Sequence, residues 1–194
     1  MTLSEREVAV MKLSEESRIS EVAAVASLML GSKQLIYQVA RWGAIVSIVV
    51  MFLALMAGVI VRYVLSTNLG WVAEVPNLFF PWLTMCGIVA AAARNEHIGV
   101  EIVIARLPAS MKLLVTLAVD GLALVAFSTM AFHGLNVIEI AGGQRLPITH
   151  IAMSWAYWSV VIGFAALALV ALINIGLLLT GHSESQVSHG EEGL

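Results

Sequence analysis

Few residues in this chain have the types and spacing to do chemistry. Trp71 and Glu74 form a W-x-x-E pair, three positions apart and so on one face of a helical turn. Glu74 precedes Pro76 and Pro81, and its simplest role is a charge that complements the positive start of the following helix. Its sharper role is an ion pair with a base such as Arg62, within the chain or across a subunit boundary. A second group reads Arg94-Asn95-Glu96-His97-Ile98-Gly99-Val100-Glu101, then Arg106-Leu107-Pro108. His97 has no serine or cysteine nucleophile beside it in a recognisable pattern. Glu96, His97 and Glu101 are metal-ligand types, but their spacing is unlike helical or loop metal motifs, so a folded polar turn is favoured. Asp120 is the third candidate. It lies eight residues past Lys112, about 12 Å along a helix axis, and so approaches the membrane midplane. A proton or sodium relay there would need a partner base on another span; a polar contact to a neighbouring helix is favoured.

The elements that must position these residues belong in lipid. Of the 194 residues, 60% are hydrophobic and only 12% charged, and the mean hydropathy is +0.93. A water-soluble globule of this size cannot hide so much apolar surface. The net charge of −3 and the single cysteine, Cys86, exclude a basic nucleic-acid binder and a disulfide scaffold. Four segments are apolar over the roughly 20 residues that a crossing needs. They run over about 43–65, 75–93, 113–136 and 155–179. None shows the two-residue alternation of barrel strands, and backbone in lipid must satisfy itself, so all four are expected to be helices.

Eight of the ten lysines and arginines fall before the first span or between the second and third. Only Arg62 and Arg145 fall on the other side, which predicts cytoplasmic termini. Trp42, Tyr63, Trp71, Trp155, Tyr157 and Trp158 fall near expected span ends, where amphipathic rings favour the headgroup level. Trp82 lies inside span two and is read as a helix-packing residue. Pro81 is expected to kink that span. Ala54 with Gly58, Gly87 with Ala91, and Ser159 with Gly163 are small pairs four apart that let helices approach closely.

Residues 1–41 lack the layout of a secretory signal and read as a cytoplasmic arm. From Ser20 to Trp42 apolar residues recur at three- and four-residue steps, which predicts an amphipathic helix along the inner surface, with Lys33, Arg41 and Trp42 at the lipid interface. The four-helix domain then occupies 42–180. The polar tail, 181–194, reads as disordered, and His182 and His189 in it as solvated. The expectation is an all-α, multi-pass membrane protein with four transmembrane helices plus the surface helix. No cofactor and no metal are expected.

In order, Arg62, Trp71-x-x-Glu74, Arg94-x-x-His97-Ile98-x-Val100-Glu101, Leu107-Pro108 and Leu146-Pro147 form a pattern along a four-span chain. It resembles the DctQ-type small membrane subunit of TRAP transporters, the tripartite ATP-independent periplasmic carriers, over about Trp42 to Leu179. One departure is at the start of span four, where Val161 and Ile162 precede Gly163 in place of a nearby proline. The resemblance implies a bacterial inner-membrane scaffold, not an enzyme. Its partners would be a large multi-span subunit that carries substrate and sodium ions, a periplasmic binding protein that delivers an organic acid, and membrane lipids. Arg62, Trp71, Glu74, Arg94, His97, Glu101, Asp120 and Arg145 are the residues expected to serve structure or partner contact. Two other classes compete: a haem-carrying anchor of a redox enzyme, using His133 and His150, and a self-sufficient small exporter using Asp120.

Overall fold

The computed structural model describes residues 3–64, 66–67, 69–94 and 109–179, with side chains placed within 23–94 and 111–178. Helix α1 is Leu3–Val64. A single 3-10 turn, Gly70–Ala73, leads into α2, Val75–Ala93. Helix α3 is Ala109–Ala141 and α4 is Ser154–Leu179. Four helical segments are long and apolar enough to cross a membrane: Ala23–Val64, Gly70–Ala93, Met111–Ala141 and Ser154–Leu178. His97, Glu101, the rest of 95–108 and the tail 180–194 lie outside the described residues.

The helices form a row in the order α1, α2, α4, α3, with α1 also meeting α4 at one end. Helix α2 therefore sits between α1 and α4, and α3 packs mainly on α4. The seams are apolar and tight, because in lipid helix association rests on close packing and not on water exclusion. Ala40, Met85, Val89, Ala92, Leu167 and Val170 build the shared core, with Phe127 stacked on Phe164 at 6.2 Å between centroids. Gly163 is buried where α4 crosses α2; any side chain there would run into Met85.

These crossings set the relative depth of each helix. With 19 residues, α2 is about 28 Å long, just enough for the hydrocarbon layer, and its midpoint is Thr84. Gly163 of α4 abuts Met85, Gly43 of α1 abuts Cys86, and Gly134 of α3 abuts Val161. These contacts set the register of the four helices against one another.

One expectation changes in the structure. The stretch from Ser20 to Trp42 does not turn along a surface as a separate helix; α1 continues through it without a break. The chain has no proline there, and Ser27 and Ser32 bond back to carbonyls of their own helix, at 2.8 Å each, without interrupting it. Helix α3 is about 50 Å long, longer than the layer is thick, and Asp120 lies 14 residues, about 21 Å, before Gly134 along it.

Candidate functional site

Two polar constructions lie at opposite ends of the row, and no cluster of three His, Cys, Asp or Glu among the described residues stands ready to hold a metal ion. The first is built on Glu74. Pro76 starts α2 in the first-turn position where its missing N–H costs nothing. Glu74 occupies the N-cap position just before it, but its side chain makes no cap bond. The carboxylate reaches instead into the loop between α3 and α4. Oε1 accepts the Ile148 amide at 2.7 Å, and Oε2 accepts the Thr149 amide at 2.8 Å and the Thr149 hydroxyl at 2.6 Å. Charge-assisted bonds of this kind are short and strong, and three of them leave the 4%-exposed carboxylate well satisfied.

The loop that supplies these donors is itself folded. Gly142 ends α3 by donating to Ile138 at 2.8 Å, and a side chain there would collide with the Ile138 carbonyl. Arg145 and Ala152 form an isolated antiparallel bridge. Leu146 N donates to Ile151 O at 3.0 Å, and Met153 N to Gln144 O at 2.8 Å. His150 closes the turn in the left-handed region at φ 54°, and the Arg145 guanidinium donates to its carbonyl at 3.2 Å. Beneath the loop, Trp82 Nε1 donates to the Trp155 carbonyl at 3.2 Å, with the two rings 5.6 Å apart. Trp82 is therefore a contact between α2 and α4.

The second construction is at the other end. Lys33 of α1 is only 8% exposed, and its ammonium donates to Asn174 Oδ1 of α4 at 2.9 Å. Asp120 of α3 stands within electrostatic reach of the same ammonium. From Gly43 back to Lys33 is ten residues and from Gly163 to Asn174 eleven, so both lie about 15 Å along their helices from the Met85–Cys86 level, on the side of Asp120. Four residues along α1 from Lys33, the Tyr37 ring carries the Arg94 guanidinium at 4.6 Å, which ties α1 to the end of α2.

The structure therefore brings Glu74 to the residues after Leu146-Pro147, and brings Asp120 to Lys33. It does not join Glu74 to Arg62, which is exposed at the end of α1. Trp71 and Arg145 are exposed near Glu74. Lys33, assigned by its sequence to the lipid interface, lies inside the bundle. Arg41 and Trp42 are exposed. Asn174, Tyr37 and Thr149 carry interactions that sequence reasoning passed over. A lone asparagine inside α4, the longest apolar run, was the one available signal for the first.

Comparison with known proteins decides what these features belong to. The family model for the DctQ component of tripartite ATP-independent periplasmic transporters matches residues 51–181. The chain belongs to the DctQ family. It is 30% identical over 134 residues, 69% of its length, to an uncharacterized protein of Sinorhizobium fredii, of which it spans 25%. It is 22% identical over 132 residues to a protein of Haemophilus influenzae named as a TRAP transporter small permease, covering 68% of this chain and 80% of that one. It is 30% identical over 108 residues to the C4-dicarboxylate TRAP transporter small permease DctQ of Vibrio cholerae, covering 56% of this chain and 38% of that one. This DctQ-family chain is thus a small, multi-pass membrane subunit of a TRAP transporter, and it spans only a quarter to four fifths of the relatives it matches.

Proposed function

We propose that this subunit braces the large membrane subunit of a sodium-coupled, binding-protein-dependent TRAP transporter for organic acids in a bacterial inner membrane. The observation that carries this reading is the packing between the two polar ends. The core described there, around Met85, Val89, Leu167 and Val170, is apolar. Such an interior suits a rigid body against which another subunit moves. The name of the Vibrio relative supports dicarboxylates as the cargo class.

The distribution of lysine and arginine supports cytoplasmic termini, with the Glu74 cap facing the periplasm. There Arg62, Trp71 and Arg145 are exposed and available to the large subunit or to a docked binding protein. His97 and Glu101, in the same motif as Arg94, would serve structure or partner contact. The basic residues of the N-terminal arm and of the loop between the second and third spans would hold to anionic headgroups, at about 1 kcal/mol per well-placed basic residue.

The test is affinity purification of the tagged chain after co-expression with the large subunit. The account expects the two to elute together in mild detergent, and expects organic-acid uptake by cells to fail when this chain alone is deleted. Uptake at the normal rate without it would end the scaffold reading.

A further inference from the structure

We propose that residues 26–33 of α1 form a strap, latched onto the bundle by Lys33 through Asn174 of α4 and Asp120 of α3, and that the strap swings away when those two partners are lost. Helix α2 stops at Ala93, and Ile36 and Tyr37 are the residues nearest the start of α1 that pack into the shared core. The Arg94 guanidinium over the Tyr37 ring pins that level. Nearer its start, α1 has run past α2 and is held at three places on one face. Ala26 is only 2% exposed, the end of the Met29 side chain fills the space beside Gly176 of α4, and Lys33 donates to Asn174.

Two of these three contacts are slight. An alanine and one flexible methionine bury little area, while Leu28, Leu30 and Leu35 of the same stretch are exposed. The stretch therefore hides its lysine and shows its leucines, the reverse of a helix on an aqueous surface. An ammonium stays inside only where an acceptor and an opposite charge meet it. Asn174 supplies the acceptor, and Asp120 stands within electrostatic reach as the charge. Without them the ammonium favours leaving, and the slight contacts oppose it weakly. Gly31 adds a soft point: a side chain there would meet nothing, so no close packing calls for glycine, and glycine inside a helix weakens it.

The strap decides where the N-terminal arm points. Latched, it keeps α1 one unbroken helix that continues beyond the end of α2. Released, it lets the arm turn away at the pinned Tyr37. The three- and four-residue periodicity of 20–42 suits both positions, so the charge of Lys33 and its two partners chooses between them.

The experiment uses the full chain in lipid nanodiscs, with Cys86→Ala and spin labels on Leu28→Cys and Leu169→Cys, both at exposed positions. Pulsed electron resonance should read one narrow distance in this parent chain. Leu28 lies nine residues, about 13 Å, from Tyr37, so a swing about that point moves the label by roughly 10 Å or more. Asp120→Asn with Asn174→Leu should add a longer population of that size. Adding Lys33→Met to the pair should bring back the single distance, because no charge is left to satisfy. An unchanged distance in the Asp120–Asn174 double variant would overturn the proposal, and so would a longer population that Lys33→Met fails to cure. A reference pair of labels at Val125 and Leu169, on α3 and α4, should hold its distance throughout; if it shifts with the strap, the loosening is general and the proposal falls. As a second measurement on the mildest variant, Ala26→Cys should react with a maleimide roughly tenfold faster when Asp120→Asn is added. Equal rates would overturn the proposal as well.

Discussion

At the Glu74 end one carboxylate takes three short bonds from a single neighbouring loop, whereas at the Lys33 end one ammonium is shared among side chains from three helices. The first arrangement is made mostly with backbone amides. Their positions are fixed by the loop's own hydrogen bonds, so little else must be ordered to complete the site. The second depends on long side chains that arrive from α1, α3 and α4, and each must surrender rotamer freedom to meet there. The difference teaches that the row is locked firmly at one end and gathered more loosely at the other. A body that braces a moving neighbour gains from such a fixed cap.

Substitutions can break or sharpen this contrast. The largest effect is expected for Glu74→Ala, which strips the acceptor from two amides and a hydroxyl at once. Its melting temperature in detergent should fall by roughly 5 °C or more, with Glu74→Gln in between because one oxygen remains. An unchanged melting curve for Glu74→Ala would mean that the loop holds itself. Gly163→Val is next, and it tests the middle. Overpacking against Met85 should cost about 1–3 kcal/mol and loosen both ends together, which exchange protection of the two ends would reveal.

At the Lys33 end the effects should be smaller and depend on which partner goes. Asn174→Leu removes one hydrogen bond from the Lys33 ammonium and should cost about 1 kcal/mol, near the usual worth of a hydrogen bond between helices in lipid. Lys33→Met removes the charge itself and should cost less. The double variant should then resemble Lys33→Met alone, a coupling that a double-mutant cycle measures directly. If Asn174→Leu proved as damaging as Glu74→Ala, the contrast between the ends would vanish. The smallest effect belongs to His150→Gly, which frees a left-handed residue and should change stability by no more than about 1 kcal/mol, while His150→Val should be clearly worse.

Much of this was legible in the sequence, and the reasons are specific. Four crossings follow from uncharged runs because the hydrocarbon layer forbids anything but helix there. Trp82 could be placed at a helix contact because a ring so deep in a span has little other use. Glu74 was visible as a candidate, but its partner was not. A search for a base led to Arg62, while the real donors are amides, which every residue carries and no sequence advertises. The Lys33 end misled for the opposite reason. Its lysine stands in an amphipathic pattern that also describes a surface helix, and only the packing of α1 against α4 shows that lysine turned into the bundle. Asp120 seemed isolated because its partner lies 87 positions away on a helix read as lying elsewhere.

The central claim is that this subunit supports transport and performs none alone. The direct test is accumulation of a radiolabelled C4-dicarboxylate by proteoliposomes under an inward sodium gradient. Vesicles holding both membrane subunits, supplied with the binding protein, should accumulate the label. Vesicles holding only this chain should match empty ones, and concentrative uptake by the chain alone would contradict the account.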